Sequence, residues 1–400
     1  MFWHSFASLA IAAFATASAA AGEKHYGPGV TDTEIKIGQT TAYSGPASAY
    51  GQLLSKTGVA YVRMINERGG INGRKINLIS LDDGYSPPKT VELTRKLVEQ
   101  DNVLAIFDSL GTATNAAIQD YLNEQHIPHF VISGAGRFND PARHPWSMGV
   151  IASYETEGRI YGKYMLQNVK DAKIAVVYQN DDLGKDYLKG FEDGLGNHAR
   201  SMIVKRASYE LTDPTIDSQI IASKGSGANV LFDASSPKFA AMAIRKAYEL
   251  EWRPTHFLSL TANSIPGALA PAGVEKSIGI ISASSNKDAG DVEWANDKGV
   301  QDYLAFMKRY IPDKNPSDLL ISAGYALAQI MVYTLEQCGD NLTRENLMYQ
   351  ATHMHDVEFP MLLPGIKINT SPTNYRGFNQ LQLEKFDGTR WVLFGDIIGE

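Results

Sequence analysis

Two short stretches offer hydroxyls and bare backbone N–H groups with little side-chain bulk: Asp108-Ser109-Leu110-Gly111-Thr112 and Ser133-Gly134-Ala135-Gly136. Such groups hold an anion or a polar head by hydrogen bonds, with no metal and no formal positive charge. A third stretch, Gln39 to Pro46, adds Tyr43 and Ser44. Each of the three follows a short apolar run of strand type, over 35–38, 103–107 and 127–132. Small residues also suit tight turns alone, so one such loop says little. Two on neighbouring parallel strands make a crevice at the strands' carboxyl ends, where open α/β sheets bind ligands.

The elements that must position these loops alternate. Helical spacing is expected over about 49–68, over a segment opened by Ser86-Pro87-Pro88, and over 113–124. Ser86 is the expected cap of the second, with Pro87 in its first turn. With a strand over 76–81 the order is βαβαβαβ, which predicts a doubly wound parallel sheet. The alternation restarts with strands over 174–178, 201–205, 230–232, 257–260 and 278–282. Its loops carry Asp181, Asp182 and Leu183, then Ser235, then Thr261. Helices over 300–310, 323–336 and 344–354 have no strands of their own and are expected to pack back on the first sheet. A hairpin around Asp387-Gly388 ends the chain. The chain thus crosses more than once between two α/β lobes, making a hinge and a cleft that closes around a ligand. The expected first lobe is 27–151 with 283–359, and the second is 152–282 with 360–400.

A chain of 400 residues predicts two domains. The net charge of −7, with scattered Lys and Arg, argues against nucleic acid and anionic membrane surfaces. Met1 to Ala21 holds no Asp, Glu, Lys or Arg, and Ala17-Ser18-Ala19 and Ala19-Ala20-Ala21 look like cleavage sites. This predicts a secretory signal peptide over 1–21 and a periplasmic location. No later run is expected to match a membrane span. Cys338 is the only cysteine, so export proceeds without an intramolecular disulfide, as suits a large domain with its own core.

Catalytic signals are missing. The sequence has no G-x-S-x-G, H-E-x-x-H, P-loop or G-x-G-x-x-G pattern, so no enzyme and no cofactor are expected. His353-Met354-His355 lacks a third ligand nearby, and no metal site is expected there. His126 and His129 flank Pro128 as a turn and a strand residue. Arg137 either adds a salt bridge to a bound carboxylate or faces solvent.

Several ordered marks carry a family resemblance. Ile35-Lys36-Ile37-Gly38 precedes Ser44-Gly45-Pro46. Asn66-Glu67-Arg68-Gly69-Gly70-Ile71-Asn72-Gly73 follows the first helix. Asp82 and Asp83 precede a Pro-started helix, Ile127-Pro128 leads to Ser133–Gly136, and Tyr178 and Gly184 flank an acidic loop. Over about 35–392 the chain resembles the type I periplasmic solute-binding proteins of the leucine/isoleucine/valine-binding class, which feed ABC transporters. The resemblance implies two lobes joined by three crossovers and a ligand carboxylate gripped by Leu110, Gly111 and Thr112 with Gly134, Ala135 and Gly136. It also implies partner permease subunits and a monomer.

The departures point to the ligand. Tyr154 and Thr261 stand where amino-acid binders of that family place acids for the ligand's ammonium, and Leu183 replaces a common aromatic. An ammonium desolvated without a partner costs several kcal/mol. An organic acid lacking the α-amino group is therefore expected, with Tyr43, Trp146 and Tyr154 available to stack an aromatic ring. A branched-chain amino acid is the alternative if Glu155, Glu157 or Asp182 takes the ammonium. A ligand sensor on the same fold is a further alternative.

Overall fold

The computed structural model describes residues 24–399, so the expected signal peptide lies outside the described residues. Two sheets dominate. The first has five parallel strands in the spatial order Lys75–Asp82, Glu34–Thr41, Ala105–Leu110, His129–Ile132, Ser147–Gly149. Ala105–Leu110 and His129–Ile132 are buried at every residue, and their apolar parts, 105–107 and 130–132, fit a strand covered on both faces. The second has seven strands: Trp391–Gly399, Gln380–Phe386, Ile281–Ser284, Thr255–Leu258, Val230–Ala234, Ile174–Gln179, Ile203–Tyr209. Its core is parallel, and the terminal hairpin adds antiparallel strands at one edge.

The chain passes between the sheets after Ser147–Gly149, after Ile281–Ser284, and before Gln380–Phe386. Between the last two passages run helices Lys298–Tyr310, Leu319–Gln337 and Arg344–Ala351. They do pack on the first sheet's side. Tyr325 meets Tyr61 edge-on at 5.0 Å, and the Arg344 guanidinium donates to the Val103 and Leu104 carbonyls. Leu319–Gln337 corrects one expectation: it is long and apolar enough to cross a membrane, yet 72% of its apolar window is buried inside the protein.

One helix pair sets up the cleft. Tyr154–Asn168 lies against Asp182–Leu195 through Gly158, Gly162, Gly190 and Gly194. A Cβ on Gly190 would sit 2.0 Å from the Glu155 carbonyl oxygen, so the backbones touch. Their amino ends, with Tyr154 and Asp182, are held side by side.

Several element boundaries differ from expectation. The strand expected over 103–107 runs to Leu110, and the next helix starts at Thr112, so the first loop is little more than Gly111. The helix expected over 113–124 is two, Thr112–Ala116 and Gln119–Glu124. The strand expected over 201–205 is Ile203–Tyr209, and that over 278–282 is Ile281–Ser284. Ser86 occupies the cap position without a side-chain bond. Asp83 does the work, accepting from the Tyr85 N–H and the Thr90 hydroxyl.

Candidate functional site

The carboxyl ends of the first sheet's inner strands deliver a polar notch. Gly111 has φ +107, a left-handed conformation that glycine takes without strain. It turns the chain so that the Thr112 hydroxyl pairs with the Ser133 hydroxyl at 2.8 Å. The Thr112 N–H donates to the Tyr85 hydroxyl at 3.2 Å. Aromatic rings sit directly on both loop glycines. A Cβ on Gly111 would strike the Tyr85 ring at 2.5 Å, and one on Gly134 the Tyr154 ring at 2.8 Å.

Tyr154 closes the notch. Burial raises its phenol, while interactions with the Ser133 and Thr112 side chains and the Gly134 N–H pull the other way. Its hydroxyl therefore stands among the donors expected to hold an anion. Its ring stacks on Tyr187 with centroids 4.7 Å apart. Tyr50, Tyr85 and Tyr209 share the space. Burial raises Tyr50 well above its ordinary value, and the phenols of Tyr154, Tyr85 and Tyr209 add to that.

Four acids of the second lobe have partners, whereas Asp233, buried in strand Val230–Ala234, has neither oxygen hydrogen-bonded and lies 3.4 Å from the His256 imidazole. Glu157 is fully buried, accepting from the Tyr187 hydroxyl at 2.6 Å and the Leu260 N–H at 2.7 Å. Burial pushes its carboxyl up to about 7. Asp181 caps helix Asp182–Leu195 through the Leu183 and Gly184 N–H groups, and its other oxygen accepts from Gln179. Glu155 pairs with Lys189 at 3.2 Å and Arg376 at 3.6 Å. Asp182 pairs with Arg137 at 3.0 Å.

The sheets meet around this space. The Tyr50 hydroxyl donates to the Thr261 carbonyl at 2.9 Å, and Ser264 donates to Asp318 at 2.7 Å. Behind it, an apolar cavity of about 80 Å³ is lined by residues from each passage between the sheets, among them Ala152, Ser285, Leu362 and Phe378.

The structure gathers Leu110, Gly111, Thr112, Gly134, Ala135 and Tyr154 on one side. Leu110 is a strand residue and not a loop residue. From the second sheet come Leu183, Ser235 and Thr261, all buried, with the Ser235 hydroxyl unpartnered. Three expected residues are otherwise occupied. The Gly136 N–H donates to Asp186 at 2.8 Å. The Tyr43 hydroxyl pairs with Ser80 at 2.7 Å, and exposed Ser44 donates to Asp82. Trp146 stacks on His126, away from the notch. Arg137 meets an acid of the protein itself.

Tyr50, Tyr85 and Tyr209 were not foreseen. Tyr209 ends a strand whose inward positions, Ile203, Ala207 and Tyr209, alternate with exposed ones. That period of two carries the strand past the charged Lys205 and Arg206. Tyr85 follows Asp82-Asp83-Gly84 at φ +61, a turn conformation that aims its ring at Gly111.

A family model described as periplasmic binding protein matches residues 34–387. The chain belongs to the periplasmic binding protein family. Among curated relatives of this binding protein, an amino acid binding protein of Pseudomonas aeruginosa is 24% identical over 222 residues, 54% of this chain and 58% of that protein. The match thus spans little more than half of the relative's length. Solved structures align more fully. A branched-chain amino acid ABC transporter protein of Thermus thermophilus with bound valine superposes with TM-score 0.82 at 18% identity, covering 93% of this chain and 98% of that one. An ABC transporter solute-binding protein of R. palustris in complex with benzoate gives TM-score 0.76 at 20% identity, covering 92% and 98%. The expected type I fold is the fold these structures share with it.

Proposed function

We propose that this binding protein is the periplasmic solute-binding component of an ABC uptake transporter. It captures a small carboxylate, an organic or aromatic acid, by closing its lobes, and hands it to permease subunits. Residues 1–21 direct its export, it acts as a monomer, and no bond is made or broken.

The observation that carries the ligand class is the contrast across the cleft. Donors converge at Thr112, Ser133 and Gly134, while Glu155, Glu157, Asp181 and Asp182 all have protein partners. The donors are neutral groups paired only with one another or with phenol hydroxyls, which an anion can replace, whereas these four acids are held by backbone N–H groups, a buried phenol or a cation. The phenol rings of Tyr50, Tyr85, Tyr154 and Tyr209 suit a flat apolar body with a polar end. Benzoate in the R. palustris protein is a ligand of that kind.

Thermal melts of the mature chain against amino acids, aliphatic acids and aromatic acids test the reading. A ligand at about 1,000 times its dissociation constant stabilises by roughly 4 kcal/mol, a shift of several degrees. Shifts with aromatic or aliphatic acids, and none with leucine or valine, are expected. The Thermus protein holds valine, so an amino-acid ligand is the second reading. A shift with valine that disappears in Glu155→Gln or Asp182→Asn would replace the first by the second.

A further inference from the structure

The loop that grips also reaches across. Two residues past Gly134, the Gly136 N–H donates to Asp186 at 2.8 Å, and the Arg137 guanidinium donates to Asp182 at 3.0 Å. Both acids lie on the opposite sheet's helix Asp182–Leu195, four residues apart and so on one face. Arg137 is aimed from behind. Buried Gln119 accepts from its Nε at 2.9 Å and donates to its backbone carbonyl at 3.0 Å. A guanidinium fixed in this way loses less freedom when it meets its partner.

We propose that the segment Gly134–Phe138 is a latch: Gly136 and Arg137 are positioning residues that hold the closed form through Asp186 and Asp182. Anchoring of a ligand anion at Gly134 and closure of the lobes are then one event in one short loop. Only this link to the ligand rests on the carboxylate reading.

Asp186 is held among other charges. It faces the Gly136 N–H and, around it, Glu155, Asp182 and Lys189, with Arg137 and Arg376 paired to the two neighbouring acids. Burial raises its carboxyl from 3.8 to about 6, helped by Glu155 and Asp182, while the Gly136 N–H pulls the other way.

The test reads lobe distance without any ligand. Lys89→Cys and Ser218→Cys place spin labels on exposed helical positions of the two lobes. Native Cys338 is buried with its thiol pushed up to about 12, and it stays unlabelled. In double electron–electron resonance at low salt, Arg137→Gln and Asp182→Asn each lower the closed-to-open ratio about two- to fivefold, the size expected of a half-exposed ion pair. The double variant falls no further. Asp186→Ala opens the protein, whereas Asp186→Asn keeps an acceptor for Gly136 and stays closed. Distance distributions in Arg137→Gln and Asp186→Ala that match the parent overturn the latch. If these variants open the chain while no acid stabilises it in thermal melts, the latch stands and the carboxylate reading falls.

Discussion

The two sheets present opposite chemistries at the ends that face each other. The first sheet's loops supply glycine N–H groups and the Thr112 and Ser133 hydroxyls, none of them charged. The second supplies carboxylates: Glu155, Glu157, Asp181 and Asp182 are each paired within the protein, and Asp233 is buried with neither oxygen hydrogen-bonded. A buried carboxylate without partners costs far more than a neutral donor does. Most of the second sheet's acids are therefore committed to structure, and on the proposed reading an anion would meet the first sheet's neutral donors instead.

The largest break in this comparison comes from the first sheet's backbone. In Gly134→Ala the added Cβ would meet the Ala152 carbonyl oxygen at 2.1 Å and the Tyr154 ring at 2.8 Å. Overpacking of this kind costs about 1–3 kcal/mol, and more where backbone must move. A lowered melting temperature and loss of every ligand-induced shift are expected in thermal melts.

The next effect comes from buried acids. Burial raises Glu384 to about 8, Glu157 to about 7 and, on the first sheet, Asp108 to about 7. In the unfolded chain such groups ionise near pH 4, so between that pH and their folded values the native state holds more protons. Stability must then fall as pH rises from 5 to 8, by up to roughly 1.4 kcal/mol per pH unit for each group inside its window. His129 works in the opposite sense. Burial depresses it to about 3, so it adds stability as pH rises toward 6.5, one group against four once Asp186, raised to about 6, is counted. Denaturant melts across pH 5–8 should show a falling midpoint, with a shallower fall in Glu384→Gln. A flat profile in the parent would mean these acids find solvent in the native state.

The smallest effect sharpens the border of the site. The Ser44 hydroxyl, exposed and bonded to Asp82, lies outside the notch. Ser44→Ala should change stability by less than about 1 kcal/mol and leave ligand-induced shifts as they are. A lost shift would bring Ser44 back into the site.

Much of the architecture was legible because both sheets have parallel cores. The apolar runs 103–107 and 127–132 stand out because the strands they belong to, Ala105–Leu110 and His129–Ile132, are buried at every residue. The notch was legible because Gly111 and Gly134 sit where only small residues fit. What escaped lay where polar residues continue a regular element. Asp108 and Ser109 read as turn, yet they belong to the strand, through a register shift and a left-handed φ of +56 at Asp108. Lys205 and Arg206 masked the edge strand that delivers Tyr209. The partners of Glu157, Gly136 and Arg137 are set by tertiary contacts between segments far apart in sequence, which spacing along the chain does not encode.

The apolar cavity behind the cleft has one more consequence. Its walls come from all three passages between the sheets, so a change in the angle between the sheets must rearrange these apolar walls. The packing there, apart from the notch and the latch, then sets which angles the two lobes can take.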